Sequence, residues 1–402
     1  MTSNLHHYCL ALCLLATCPM LRAAQEGGSG DADEDWAALL EEAESSADWA
    51  ADPLADLNLF GDSVSSLLLT TSLRAGLGYS DNFLKRPQEV DSGFYKVEAD
   101  LWMSWFMEKS TLSALFYGEA NIYENKVDSD DEFLTFAQLA WSRPGNRTEL
   151  GWETVVLFAD QIYDASLSPT GEPSGTRIRQ LRPETMLYLD WFAGRLDRLR
   201  ADISIVRTEY NLEEEDYWEP VLGLEWERVW KKGFHTITRI ALSRQYFDDA
   251  LGRDANGIQL PEAEQLLVDR LLLEERLKWK PADWKWLELT ATAGVAWDKD
   301  QVGVYESLRQ AWISGRAKVS GKWGQVKLTA RWREIRYDER QVDFFDSTPV
   351  LHTQRSLQSE YKLPLPWSFA VYLRGEWTRL DSRVEDSRYT EQRGEILFQW
   401  SY

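Results

Sequence analysis

Two histidines follow the first twenty-four residues, His235 and His352, and they are the natural place to look for hydrolytic chemistry. A general base needs a nucleophile or water within hydrogen-bond reach and a carboxylate to orient its ring. His352 ends an acidic run with Asp343 and Asp346, as a protease built at a loop rim would require, but acids beside a loop histidine are also ordinary solvated residues. His235 shares alternate positions with Arg239, and no serine nucleophile elbow accompanies it. The stretch Asp254-Ala255-Asn256-Gly257 has the texture of a calcium loop. Gly252 and Ala263, however, stand where the first and twelfth ligands belong, so the twelve-residue coordination pattern fails. Cys9, Cys13 and Cys18 all lie near the N-terminus, and the rest of the chain can form neither a disulfide nor a thiolate metal site. The sequence predicts no catalytic residue, no metal centre and no cofactor.

A different chemistry is open to charges that recur at every second position, namely an electric field along a solute path. Glu98, Asp100, Glu119, Glu149 and Glu153 supply such acids in the first half of the chain. Arg316, Lys318, Lys327, Arg331, Arg333 and Arg374 supply bases toward the end. If these residues share the inner face of one wall, acid and base face each other across an aqueous lumen. That transverse field favours zwitterions and hydrophilic sugars over apolar solutes.

The elements that would position them are strands. Residues 67, 69, 71, 73, 75, 77 and 79 read Leu, Leu, Thr, Leu, Ala, Leu, Tyr, and Tyr95, Val97, Ala99, Leu101, Met103 and Trp105 alternate with Lys96, Glu98 and Asp100. A period of two is the signature of a strand with two unlike faces. The same alternation recurs near 112–124, 133–142, 149–159, 181–192, 197–207, 220–229, 234–246 and 268–279. It continues at 286–297, 308–319, 325–336, 355–363, 367–379 and 391–402, which makes sixteen strands. Several exceed the 9–11 residues that a tilted strand needs to cross a bilayer. The connections alternate between short turns, such as Glu108-Lys109-Ser110 and Pro144-Gly145-Asn146, and long loops, such as 160–178 and 247–266. Alternating turn length is what an up-and-down membrane barrel produces, and a soluble sandwich has no cause to keep it.

The chain holds 20 Trp, 16 Tyr and 15 Phe at a mean hydropathy of −0.43. Trp102, Trp105, Trp141, Trp191, Trp226, Trp297, Trp332, Trp377, Trp400 and Tyr402 are expected at outward positions near strand ends, as membrane-interface girdles. The last stretch, Glu395 to Tyr402, sets Ile396, Phe398, Trp400 and Tyr402 against Glu395, Gln399 and Ser401. It resembles the C-terminal closing strand of Gram-negative outer-membrane β-barrels, which implies outer-membrane lipid as surroundings and the barrel-assembly machinery as a partner. Gly78-Tyr79-Ser80-Asp81-Asn82-Phe83, with the strand Phe94-Tyr95-Lys96-Val97 beyond it, is similar to a signature of putative β-barrel porins. Some members of that family are encoded beside exopolysaccharide export machinery. Asp-Asn is also ordinary turn chemistry at a strand end.

Residues 1–24 read as a signal peptide: Leu10 to Met20 is apolar, too short to span a membrane as a helix, and Ala23-Ala24 follow as small residues. A lipoprotein reading at Cys18 is the weaker one, given Thr17 and Pro19. Residues 25–62 hold twelve Asp or Glu and no Lys or Arg. Trp36, Leu39, Leu40 and Ala43 there share one helical face, although so acidic a stretch is equally compatible with disorder. This segment is expected in the periplasm, folded back on the barrel mouth or bound to a periplasmic partner. The formal net charge is −22, and no basic surface is available to displace counterions from nucleic acid. The sequence thus predicts residues 63–402 to be a sixteen-stranded outer-membrane barrel, a passive diffusion channel for small hydrophilic solutes. The rival reading is a plugged, non-conducting surface scaffold or exopolysaccharide-export partner.

Overall fold

A computed structural model describes residues 66–125, 131–163, 176–211, 216–230, 233–260, 264–281, 284–342 and 346–402. The expected signal peptide, the acidic segment and Asp343 lie outside them. Sixteen strands follow one another: β1 Ser66–Ser80, β2 Ser92–Met107, β3 Ser110–Tyr123, β4 Glu132–Pro144, β5 Thr148–Tyr163, β6 Thr176–Phe192, β7 Asp197–Tyr210 and β8 Tyr217–Val229. The second half comprises β9 Phe234–Leu251, β10 Gln265–Trp279, β11 Leu287–Asp300, β12 Leu308–Gly321, β13 Gly324–Gln341, β14 Pro349–Leu365, β15 Phe369–Ser382 and β16 Tyr389–Ser401. Each pairs antiparallel with its neighbours in sequence, and β1 pairs with β16, so the sheet closes on itself. Closure leaves no unpaired edge, and every strand then presents one face outward and one inward.

The inside and outside of this barrel are inverted relative to a water-soluble one. Outward residues include Leu67 at 63 % exposure, Ile203 at 58 %, Leu224 at 59 % and Phe398 at 62 %. Inward charges are buried: Glu98 at 1 %, Asp190 at 2 % and Asp202 at 2 %. Each large apolar side chain left in water forgoes about 1.5–3 kcal/mol, and a full ring of them would be prohibitive in a soluble protein. Such a wall belongs in lipid, where every backbone group must also be paired within the protein.

The strands run further than alternation of apolar residues indicates. The strand expected at 286–297 runs on to Asp300, so both Asp298 and Asp300 belong to β11. Toward the long-loop end the outward apolar contacts give way to cross-strand ion pairs, such as Arg244 with Asp269 and Arg309 with Asp338. Backbone pairing therefore continues beyond the point where hydrophobic periodicity fades.

Inside, three aromatic rings lie flat over glycines on the neighbouring strand. The direct cross-strand partners are Gly78 with Phe94, Gly151 with Tyr188 and Gly294 with Trp312. A Cβ at Gly294 would stand 2.1 Å from the Trp312 ring. The missing side chain is what lets a bulky ring lie along the wall instead of standing across the lumen.

Candidate functional site: a charged lumen

The inner face carries its charges in organised groups. The first spans the closure of the ring. Arg374 on β15 reaches Glu98 on β2 at 2.5 Å and Glu360 on β14 at 2.8 Å. Arg74 on β1 bridges Glu98 at 2.9 Å and Asp100 at 3.2 Å. Lys96 on β2 meets Glu119 at 2.9 Å, Glu98 at 3.2 Å and, on β16, Glu395 at 3.4 Å. Arg393 completes the group at 2.8 Å from Glu395. Glu98 thus holds three cations, which is what allows a carboxylate to be so deeply buried. Beside this group, Leu134 and Gln161 from β4 and β5 and Lys327, Glu360 and Arg374 from the facing strands line one cavity of about 220 Å³. Strands from both sides of the seam therefore contribute to one cavity.

A second group lines β6 to β9. Arg200 clasps Asp190 through two bonds of 2.8 and 2.9 Å and stacks on Tyr188 at 4.1 Å. Arg198 joins Glu225 at 2.7 Å and also contacts Glu227, which in turn lies 2.7 Å from Nε2 of His235. Arg239 reaches Asp202 at 3.0 Å. On β10 and β11, Arg270 and Asp298 form a further bidentate pair at 2.8 and 2.7 Å.

The strand register places all eleven charges expected along the pore on the inner face, and Glu119 and Lys327 line one cavity, but Arg374 does not lie opposite the acidic set. The acidic set on β2 to β5 and the basic set on β12 to β15 were expected to face each other across the lumen. Arg374 instead touches Glu98, because only β16 and β1 separate their strands once the ring closes. Glu149 and Glu153 accept hydrogen bonds from Tyr188 and Gln138 at 3.3 and 2.8 Å. On β12 and β13, Lys318 is the direct partner of Lys327, Arg316 of Thr329 and Arg331 of Ser314. Arg333 is buried and donates to Gln310 at 3.1 Å. Lys318 and Arg331 make no ion pair or hydrogen bond among the described residues. Lys318 and Arg331 are therefore uncompensated positive charges on the β12–β13 wall.

The same register puts Trp105, Trp141, Trp191, Trp226, Trp297, Trp332, Trp377, Trp400 and Tyr402 on the outward face. Trp102 is a correction. It pairs with Thr70 and Leu115 and shares parity with Glu98 and Asp100, so it faces inward. Residues 102 and 105 are three apart and must point to opposite faces of a regular strand.

Sequence reasoning passed over Arg74, Lys96, Glu360, Arg393 and Glu395, which form the heart of the first group. The available signal was the parity rule itself, since Lys96 shares the face of Glu98 and Asp100. The Gly78-to-Phe83 motif also has a physical role. Asn82 donates to the backbone oxygens of Arg86 at 2.8 Å and Thr390 at 3.0 Å, and the Asp81 carboxylate accepts from the Gln392 backbone N–H at 2.6 Å. The loop is thereby pinned to β16 and sends Phe83 inward to stack on Tyr123 at 4.7 Å between ring centres. The Asp254 stretch is a turn: its carboxylate accepts from the backbone N–H groups of Asn256 and Ile258 at 2.9 and 3.0 Å. His352 faces inward, buried edge-on to Tyr337 with ring centres 6.1 Å apart.

A closed sixteen-stranded wall with an apolar exterior and a charged interior defines a transmembrane β-barrel. No family model matches the chain, and no curated protein does. Among solved structures it is similar to Acinetobacter baumannii OccAB3, with 8 % identity over 84 % of this chain and 100 % of that one, at a TM-score of 0.45. It is also similar to the outer membrane protein OprD of Pseudomonas aeruginosa, with 8 % identity over 84 % and 94 % of the two chains and a TM-score of 0.45. A third likeness is to an anion-selective porin from Comamonas acidovorans, with 10 % identity over 84 % and 100 % and a TM-score of 0.45.

Proposed function

We propose that the chain is a channel for passive diffusion of small hydrophilic solutes across the outer membrane of a Gram-negative bacterium. The observation that carries this reading is the closed ring of sixteen strands whose inner face is lined with ionised side chains. Barrels of this size enclose an aqueous path, and closed transmembrane barrels are the architecture of outer membranes. Ion pairs on the wall attract water and polar solutes and repel apolar ones, and the outward Trp and Tyr rings suit the lipid–water interface. The lumen histidines support no enzymatic reading. His235 is engaged by Glu227, and His352 packs on Tyr337. Single-channel recording in a planar bilayer tests the proposal, with stepwise conductance expected.

One observation favours the non-conducting alternative. At the long-loop end Phe83, Leu84, Phe94 and Tyr123 form an inward apolar cluster, and Leu308, Ile335, Tyr337 and Leu380 form another, all nearly fully buried. An export partner or scaffold with a plugged lumen would be silent in the same recording. The acidic segment belongs to this question too. We infer that residues 25–62 dock at the short-turn mouth; deletion of residues 25–60 then raises conductance at low salt, while equal conductance leaves only the partner-binding or the disordered-tail reading in its place.

A further inference from the structure

The outer face of β12 to β15 carries a feature that a solute channel does not require. Four arginines point outward at its upper rim, one on each strand. Arg309 is the direct cross-strand partner of Arg336, and Arg355 of Arg379. Like charges directly opposite one another on adjacent strands repel, so such pairs need an anion between them. Among the described residues two aspartates pair with these arginines. Asp338 lies 3.1 Å from Arg309, and Asp381 is divided between Arg379 at 2.7 Å and Arg355 at 3.6 Å. Glu334, also outward on β13, is half-buried. Arg336 is exposed and makes no ion pair or hydrogen bond among the described residues. The side chains of Arg309, Arg355 and Arg379 are 63 %, 52 % and 51 % exposed.

Height in the wall identifies the ligand. Trp297 is the cross-strand partner of Arg309, Trp332 is the partner of Arg355, and Trp377 lies one outward step below Arg379. Below these rings the same strands present Ile313, Leu328, Leu357 and Leu373, all exposed. Indole rings settle at the headgroup boundary, so the guanidinium groups stand where lipid phosphates stand. A guanidinium binds phosphate through two parallel bonds, and a phosphate seated between two of them replaces repulsion with charge-assisted hydrogen bonds. At the same end of β1 and β2 the outward residues are Tyr79 and Tyr95, and on β9 and β11 the outward cations Arg244 and Lys299 flank Asp269.

We propose that Arg309, Arg336, Arg355 and Arg379 bind the phosphate groups of an outer-leaflet glycolipid whose acyl chains lie on the apolar belt beneath. This rests on the membrane reading of the barrel and not on its conducting, so a silent barrel would leave it intact. The test is native mass spectrometry of the full-length detergent-purified protein with diphosphorylated lipid A, with the same lipid after phosphatase treatment, and with inorganic phosphate as competitor. The expected result is retention of the diphosphorylated lipid, at least tenfold weaker retention of the dephosphorylated one, and a similar loss in Arg336→Glu/Arg355→Glu. Equal retention of both lipids by the unmodified protein would show that acyl chains alone hold them and would overturn the assignment without any variant having to fold. Displacement by an equimolar amount of inorganic phosphate would assign the site to free anions instead.

Discussion

Arg374 and Glu98, 276 residues apart in sequence, share an ion pair of 2.5 Å across the seam where the barrel closes. The contact joins β15 to β2 over the two strands that complete the ring, so it exists only in the closed barrel. Glu98 is 1 % exposed and also holds Arg74 and Lys96. Removing one partner of a buried charge group typically costs about 3–5 kcal/mol, because the remaining charges lose their counter-ion.

Glu98→Ala is therefore expected to destabilise the folded barrel by about that amount, leaving three cations around an empty place. Glu119→Gln, which leaves Lys96 with two other carboxylates, is expected to cost about 1–2 kcal/mol. Urea unfolding from lipid vesicles, or the temperature at which the folded band is lost on an unheated gel, measures both. Equal midpoints for the two variants would remove Glu98 from its place as the hub.

The uncompensated charges on β12 and β13 should set ion preference. Lys318→Glu with Arg331→Glu reverses the sign of two inward cations that have no ion pair or hydrogen bond among the described residues. The reversal potential under a salt gradient should move toward cations, and the shift should shrink as salt rises and the field is screened. An unchanged ion preference would mean that permeating ions do not pass this wall.

Gly294→Val probes how the lumen is kept open. Its added side chain cannot share space with a ring that would lie 2.1 Å from the new Cβ, so Trp312 must swing off the wall. Conductance should fall while the Arg270–Asp298 pair higher on the same strands survives. A variant with full conductance would show that Trp312 has room to move along the wall.

Much of the architecture is legible in sequence because a lipid-facing barrel imposes period two on every strand and alternates its connections. Both are local properties. Sixteen strands follow from them, as does the inward parity of residues such as Glu98 and Arg331. The network itself is not local. Arg374 and Glu98 are distant in sequence, and only the register of β1 on β16 makes them neighbours. Strand ends were underestimated for a physical reason, since beyond the membrane ion pairs such as Arg244 with Asp269 replace the apolar periodicity. Trp102 shows the converse error, in which residue type was allowed to override parity. A tryptophan suits an interface, but position 102 is fixed inward by Glu98 and Asp100 on the same strand.

The most direct measurement of the central claim is conductance of the purified full-length barrel in a planar lipid bilayer at about 1 M salt. An open charged lumen predicts discrete upward current steps on insertion, roughly proportional to bulk salt conductivity, with a modest anion preference that Lys318→Glu with Arg331→Glu reverses. Folded protein that inserts, as judged by its gel mobility, and yet carries no current under any applied voltage would contradict the account and leave the plugged scaffold standing.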